Sequence, residues 1–109
     1  MKLYFNSTNN LKTIVKLDNI GLERNYQIPQ DQDILGAINE LLQKQGNTFG
    51  NISEIEVNTG PGSFTGTRLG VAIANALAFA LEIKVNGRKP PIVAEYGSNP
   101  NITKQKKAR

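Results

Sequence analysis

Apolar and polar positions alternate along this chain first with period two and then with a period near 3.6. KLYFN at 2–6 reads as a short strand running into polar residues. From 11 to 17, Leu11, Thr13, Val15 and Leu17 fall on one side and Lys12, Ile14 and Lys16 on the other. That is the pattern of a half-exposed antiparallel strand. Asn9-Asn10 and Asn19-Ile20-Gly21 supply the turns around it, and LERNYQI (22–28) alternates again, with Leu22, Tyr26 and Ile28 inward. Three successive strands predict a meander.

Pro29 and Asp31 then introduce a helix over about 31–45, acids in a first turn being favoured by the helix dipole. Ile34, Leu35, Ile38, Leu41 and Leu42 form one apolar stripe, Asn39, Glu40, Gln43 and Lys44 face water, and Gly46 is the stop. SEIEVNT (53–59) is a fourth strand with Ile55 and Val57 inward. A glycine-rich loop leads to a second helix over about 64–82, and a short strand follows near 83–85. The order β-β-β-α-β-α-(β) predicts an α/β fold, a mixed sheet carrying two helices. The topology is that of a single ribonuclease-H-like lobe of the actin-like ATPase (ASKHA) kind. Residues 1–86 form that lobe, and 87–109 form a Pro/Gly-rich, then basic, tail expected to be extended or mobile.

The second helix departs from the amphipathic pattern. From Leu69 to Leu81 its only strongly polar side chain is Asn75. A helix apolar all round requires cover all round, and one sheet plus one neighbouring helix leaves a flank over. Gly66, Gly70, Ala74 and Ala78 form one row of small residues, and Ala72, Ala76 and Ala80 another. The rows either seat the helix on its own sheet or admit a partner helix. The expected partner surface is Ile34, Ile38, Leu41, Gly66, Gly70, Ala74, Leu77, Ala78 and Leu81.

Composition narrows the chemistry. The 109 residues contain no Cys and no His, which removes disulfides, thiolate nucleophiles, Ser-His pairs and the usual zinc or iron sites. No catalytic residue, metal site or cofactor is assigned. The formal charge of +4 comes from 13 basic and 9 acidic residues. Lys104, Lys106, Lys107 and Arg109 concentrate it in the tail, where it offers an electrostatic contact to RNA or a solvated terminus. The apolar stretch 69–81 is too short to span a bilayer and no signal-peptide core is visible, so a cytoplasmic protein without membrane contact is expected.

The loop Gly60, Pro61, Gly62, Ser63, Phe64, Thr65, Gly66, Thr67, Arg68 invites comparison with phosphate-binding loops. A Walker loop places Gly then Lys after four intervening residues, whereas Thr65 stands five residues after Gly60, and Thr67, not Lys, follows Gly66. The dinucleotide pattern fails at the same Thr65. Two readings stay open: a turn with Ser63 or Thr65 capping the helix, or an anion site at the helix N-terminus with Arg68 adding charge.

GPGSFTGTRLGVAIANALAFAL (60–81) resembles the signature segment of the TsaB (YeaZ) family, which assists synthesis of the tRNA modification N6-threonylcarbamoyladenosine (t6A). LYFNST (3–8) is similar to that family's first strand, ILGAINELL (34–42) to its first helix, and Tyr96 with PNITKQKK (100–107) to the ends of some bacterial members. Typical members have two actin-like lobes, so the resemblance implies a short form without the second. Asn6 stands for the usual Asp, Gln30 for a His, Thr67 for Leu or Ile, and Asn75 for a common Lys. The resemblance implies a non-catalytic subunit that joins a TsaD-like ASKHA enzyme through its two helices, with a TsaE-like ATPase docking on the pair. It leaves open a homodimer of the isolated chain, a weak nucleotide-binding protein, and a weak tRNA contact through the tail.

Overall fold

Alternation in the first third of the chain produces three strands: β1 (Lys2–Asn6), β2 (Lys12–Leu17) and β3 (Ile20–Asn25). A computed structural model describes residues 1–95 and shows them joined by tight turns into an antiparallel meander. The next strands, β4 (Glu54–Val57) and β5 (Lys84–Val85), add to β1 in parallel, giving the sheet order β3-β2-β1-β4-β5. Register lines up the inward residues in two rows, Leu22–Val15–Phe5–Val57 and Leu17–Leu3–Ile55–Val85. All of these except half-buried Leu22 are buried. The mixed α/β lobe expected from the sequence is therefore present.

Both helices, α1 (Ile34–Lys44) and α2 (Phe64–Leu81), close over those rows. α1 starts three residues later than expected because Pro29–Asp31 forms a separate 3-10 turn. Asp33 is the cap, its Oδ1 accepting the Gly36 N–H at 2.9 Å. The helix closes as expected: Gly46 takes φ +68, and the Asn47 N–H reaches back to the Leu42 carbonyl at 2.8 Å.

Two inward assignments in the meander are corrected. β3 ends at Asn25, so Tyr26 is only half-buried and Ile28 is exposed. The inward position after Leu22 belongs instead to Arg24, which binds α1. Its Nη2 donates to Glu40 Oε1 at 2.8 Å and to the Gly36 carbonyl at 3.3 Å. Tyr26 turns its hydroxyl to buried Thr13 at 3.1 Å.

The opposite face of the sheet carries no helix among the described residues and alternates in charge. Lys2 pairs with Glu56 at 2.6 Å and Lys12 with Glu23 at 3.5 Å. Beyond β5, Asn86 and Gly87 at positive φ turn the chain back, so that Val85 and Arg88 exchange backbone hydrogen bonds of 2.9 and 3.0 Å. Asn86 also binds both backbone groups of Val57 through its amide.

Candidate partner-docking site

The motif loop runs from the end of β4 into α2, and its donors point inward. The Gly60 N–H donates to Asn58 Oδ1 (2.9 Å), the Ser63 N–H to the Thr8 carbonyl (2.6 Å) and the Gly66 N–H to Ser63 Oγ (3.3 Å). Ser63 is thus the cap of α2. A phosphate cradle needs several convergent N–H groups, and these three are committed within the chain. The geometry favours the turn reading of residues 60–68. Arg68 lies over the Phe64 ring, 4.9 Å from its centroid, on the surface.

Small residues of α2 serve a close approach to β1. A Cβ on Gly66 would strike the Ser7 carbonyl oxygen, and one on Gly70 the Ser7 hydroxyl. That hydroxyl is buried and donates to the Gly66 carbonyl at 2.7 Å. The row Gly66, Gly70, Ala74 and Ala78 is therefore the seat of the helix on its own sheet, not a partner face. Ile34, Ile38 and Leu41 of α1 are likewise core, all three buried. Leu77 and Leu81 are half-buried at the margin. Seven of the nine residues expected at a partner surface, all but Leu77 and Leu81, are thus enclosed by this chain: Ile34, Ile38 and Leu41 as the core face of α1, and the four small residues of α2 because tight backbone approach, not a second molecule, demanded them.

The outward band of α2 is the other row. Leu69 (42% exposed), Ala72, Ala76, Phe79 (78%) and Ala80 form it, beside Leu35 of α1 (46%). Leu35, assigned to the buried stripe from periodicity, is at its outer edge. Between the helices lies a groove lined by Leu35, Gly36, Asn39, Phe49 and Leu77. At 18 residues α2 is long and apolar enough, by length and composition alone, to cross a bilayer, contrary to the expectation from 69–81. Its composition has an account in the sheet beneath and the apolar band above.

Asn75 bounds this band on the side away from α1. Its Nδ2 donates to the Ile92 carbonyl and its Oδ1 accepts the Ile92 N–H, both at 2.8 Å. The side-chain amide thereby pairs with an extended backbone as a neighbouring strand would. Ile92 joins the core, and the Glu95 N–H donates to the Thr59 carbonyl at 2.6 Å. Residues 88–95 are thus a strap, pinned at Ile92 and Glu95 beyond the Val85–Arg88 turn. The pairing is absent from local sequence patterns, although an isolated Asn in so apolar a helix signals that its amide has a partner. The tail residues Tyr96, Lys104, Lys106, Lys107 and Arg109 lie outside the described residues.

Charge around the site is confined to its edges. Glu40 lies between Arg24 and Lys44 (3.3 Å), and the hydrogen bond from Arg24, then that from Lys44, holds its carboxyl below the ordinary 4.5. Arg24 is raised in turn, chiefly by its hydrogen bond to Glu40. Near the first turn of α2, the Thr67 hydroxyl is buried and has no hydrogen-bond partner among the described residues.

The family model for "TsaD: tRNA N6-adenosine threonylcarbamoyltransferase" matches residues 30–87, which include both helices, β4 and the motif loop. Among curated relatives, the tRNA threonylcarbamoyladenosine biosynthesis protein TsaB of Escherichia coli is 38% identical over 56 residues, 51% of this chain and 24% of that protein. TsaB of Bacillus subtilis is 40% identical over 50 residues, 46% of this chain and 22% of that protein. YeaZ from Pseudomonas aeruginosa superposes with a TM-score of 0.63 at 27% identity, covering 77% of this chain and 42% of its own. A second Pseudomonas aeruginosa structure, described by similarity to "peptidase YEAZ", gives a TM-score of 0.64 at 26% identity, over 77% and 40%. The matched segments thus span about a quarter of the curated relatives' length and about two fifths of the solved ones. With more than half of its residues inside the family model and its lobe superposing on YeaZ, the chain belongs to the threonylcarbamoyltransferase family of that model and, within it, to the TsaB (YeaZ) group.

Proposed function

We propose that this chain is a non-catalytic subunit in t6A biosynthesis, acting in the cytoplasm by docking on a TsaD-type enzyme through the outer face of α2 and the edge of α1. One observation carries the reading: the band Leu69, Ala72, Ala76 and Phe79 on α2, with Leu35 across the groove on α1, is apolar and uncovered by the described residues. Contiguous apolar surface of this kind marks an interaction site. Its alanines let another helix come close, and its larger members supply the burial. The matched relatives' names and the family model support the pathway and the kind of partner proposed. A subunit without chemistry of its own accords with a sequence lacking His and Cys. A TsaE-like ATPase would bind the assembled pair rather than this face.

The test is co-purification with the TsaD of the same genome, joined to a t6A assay with and without this chain. A stable complex and t6A formation that depends on the chain are expected. Full t6A synthesis in its absence, with no complex formed, would overturn the reading. A second reading, a homodimer of the isolated chain, has one observation in its favour. Arg68 and Glu82 sit near the two ends of the exposed side of α2, roughly 21 Å apart along the axis. Two copies crossing antiparallel there would bring each arginine to the other's glutamate. A dimer in sedimentation experiments that dissociates when TsaD is added would place both partners on one surface.

A further inference from the structure

The ridge Ala72–Ala76–Phe79 has a second groove on its other side. It measures about 590 Å³ and lies between the C-terminal half of α2 and the start of the strap. Its apolar lining is Ala78, Phe79, Ile83 and Pro90, and its charged lining is Glu82, Lys84 and Lys89. Scattered exposed apolar side chains are ordinary on any surface, but here an outward-facing aromatic adjoins Ile83 and Pro90 in one concavity. Neither Lys84 nor Lys89 has an ion-pair partner among the described residues, whereas Lys2, Lys12 and Lys44 each have one. The wall carrying Lys89 and Pro90 is held in place by the two hydrogen bonds exchanged between the Asn75 side chain and the Ile92 backbone.

We propose that this groove is a second docking surface for the same partner that the α1–α2 face receives, and that it takes an acidic segment carrying one bulky apolar side chain. The inference rests on the docking reading above. Charge complementarity sets the sign of the segment, since Lys84 and Lys89, without an ion-pair partner among the described residues, outnumber Glu82 on the rim. The apolar floor sets the anchor: one large side chain packed against Phe79, Ile83 and Pro90, with acids reaching Lys84 and Lys89. Asn75 is a positioning residue in this account, because releasing the strap would remove one wall while leaving α2 on its sheet.

The test uses the full chain and the purified TsaD of the same genome, with affinity measured at low and moderate salt. The double variant K84E/K89E changes only exposed side chains. It is expected to weaken binding roughly tenfold at low salt and to flatten the salt dependence, as for two rim charges. Asn75→Ala is expected to speed hydrogen exchange at the Ile92 amide and to weaken binding with both lysines intact. Unchanged affinity and salt dependence in K84E/K89E would overturn the proposal, as would unchanged affinity in Asn75→Ala despite faster exchange at Ile92. Ala72→Glu, on the ridge, separates the two readings. If it abolishes binding while K84E/K89E leaves affinity and salt dependence unchanged, only the second groove fails; if it too has no effect, the docking reading fails with it.

Discussion

α1 and α2 cover the same face of the same sheet, and they treat their outer surfaces differently. α1 buries Ile34, Ala37, Ile38, Leu41 and Leu42, and beyond its edge residue Leu35 it ends in water with Asn39, Glu40, Gln43 and Lys44. Its ion pairs are made within its own chain, from Glu40 to Lys44 and to Arg24. α2 buries small residues, Gly66, Gly70, Ala74 and Ala78, and leaves larger ones, Leu69 and Phe79, outside. Val71 and Thr67 are the largest side chains α2 buries, and Ala72, Ala76 and Ala80 share its outer side with Leu69 and Phe79. Close seating on Ser7 accounts for the small inner row, and a second polypeptide would account for the large apolar residues outside.

Exchanging the two sides of α2 breaks the contrast most severely. Ala74→Glu places a carboxylate against the sheet and should cost about 4 kcal/mol, enough to unfold much of the population in urea titration. The equivalent test in α1 is Ile38→Ala, which should cost about 3 kcal/mol as a cavity in the core. Thr67→Val should go the other way, stabilising by about 1 kcal/mol, because its buried hydroxyl is desolvated with no hydrogen-bond partner among the described residues. Ala72→Glu, one side of the helix away from Ala74, should shift stability by less than about 0.5 kcal/mol while abolishing capture of TsaD. A midpoint for Ala72→Glu as low as that of Ala74→Glu would mean that both sides of α2 are core.

The smallest effect concerns α1 alone. Glu40 titrates lower in the folded chain than its ordinary 4.5, so its contribution is present above that pH and fades as pH falls through the depressed value. Glu40→Gln should cost a small amount of stability at neutral pH, the pair being partly exposed to solvent, and that cost should vanish as pH falls through the depressed value, flattening the acid-side slope.

Element type was legible in the sequence wherever one period governed a segment. β2, β4 and α1 follow the alternation of LKTIVKL and SEIEVNT and the stripe of 34–42. α2 was legible as a helix needing cover, but not in its orientation, because two rows of small residues satisfy the same period. What decides between them is Ser7, far off in sequence, standing under Gly66 and Gly70. The inward place of Arg24 was hidden for a similar reason: its partner Glu40 lies sixteen residues on, in another element. The strap left a single trace, the isolated Asn75, whose partner is the backbone of Ile92 and has no side-chain signature.

The reversal at Asn86 and Gly87 has a consequence for how copies of this chain meet in concentrated solution. By folding Arg88 back onto Val85 it blunts one margin of the sheet, leaving β3 as the long open margin among the described residues. Strand-by-strand growth into a fibre requires two receptive margins on every molecule. With one, two copies joined through β3 exhaust each other, and the stack stops at a pair.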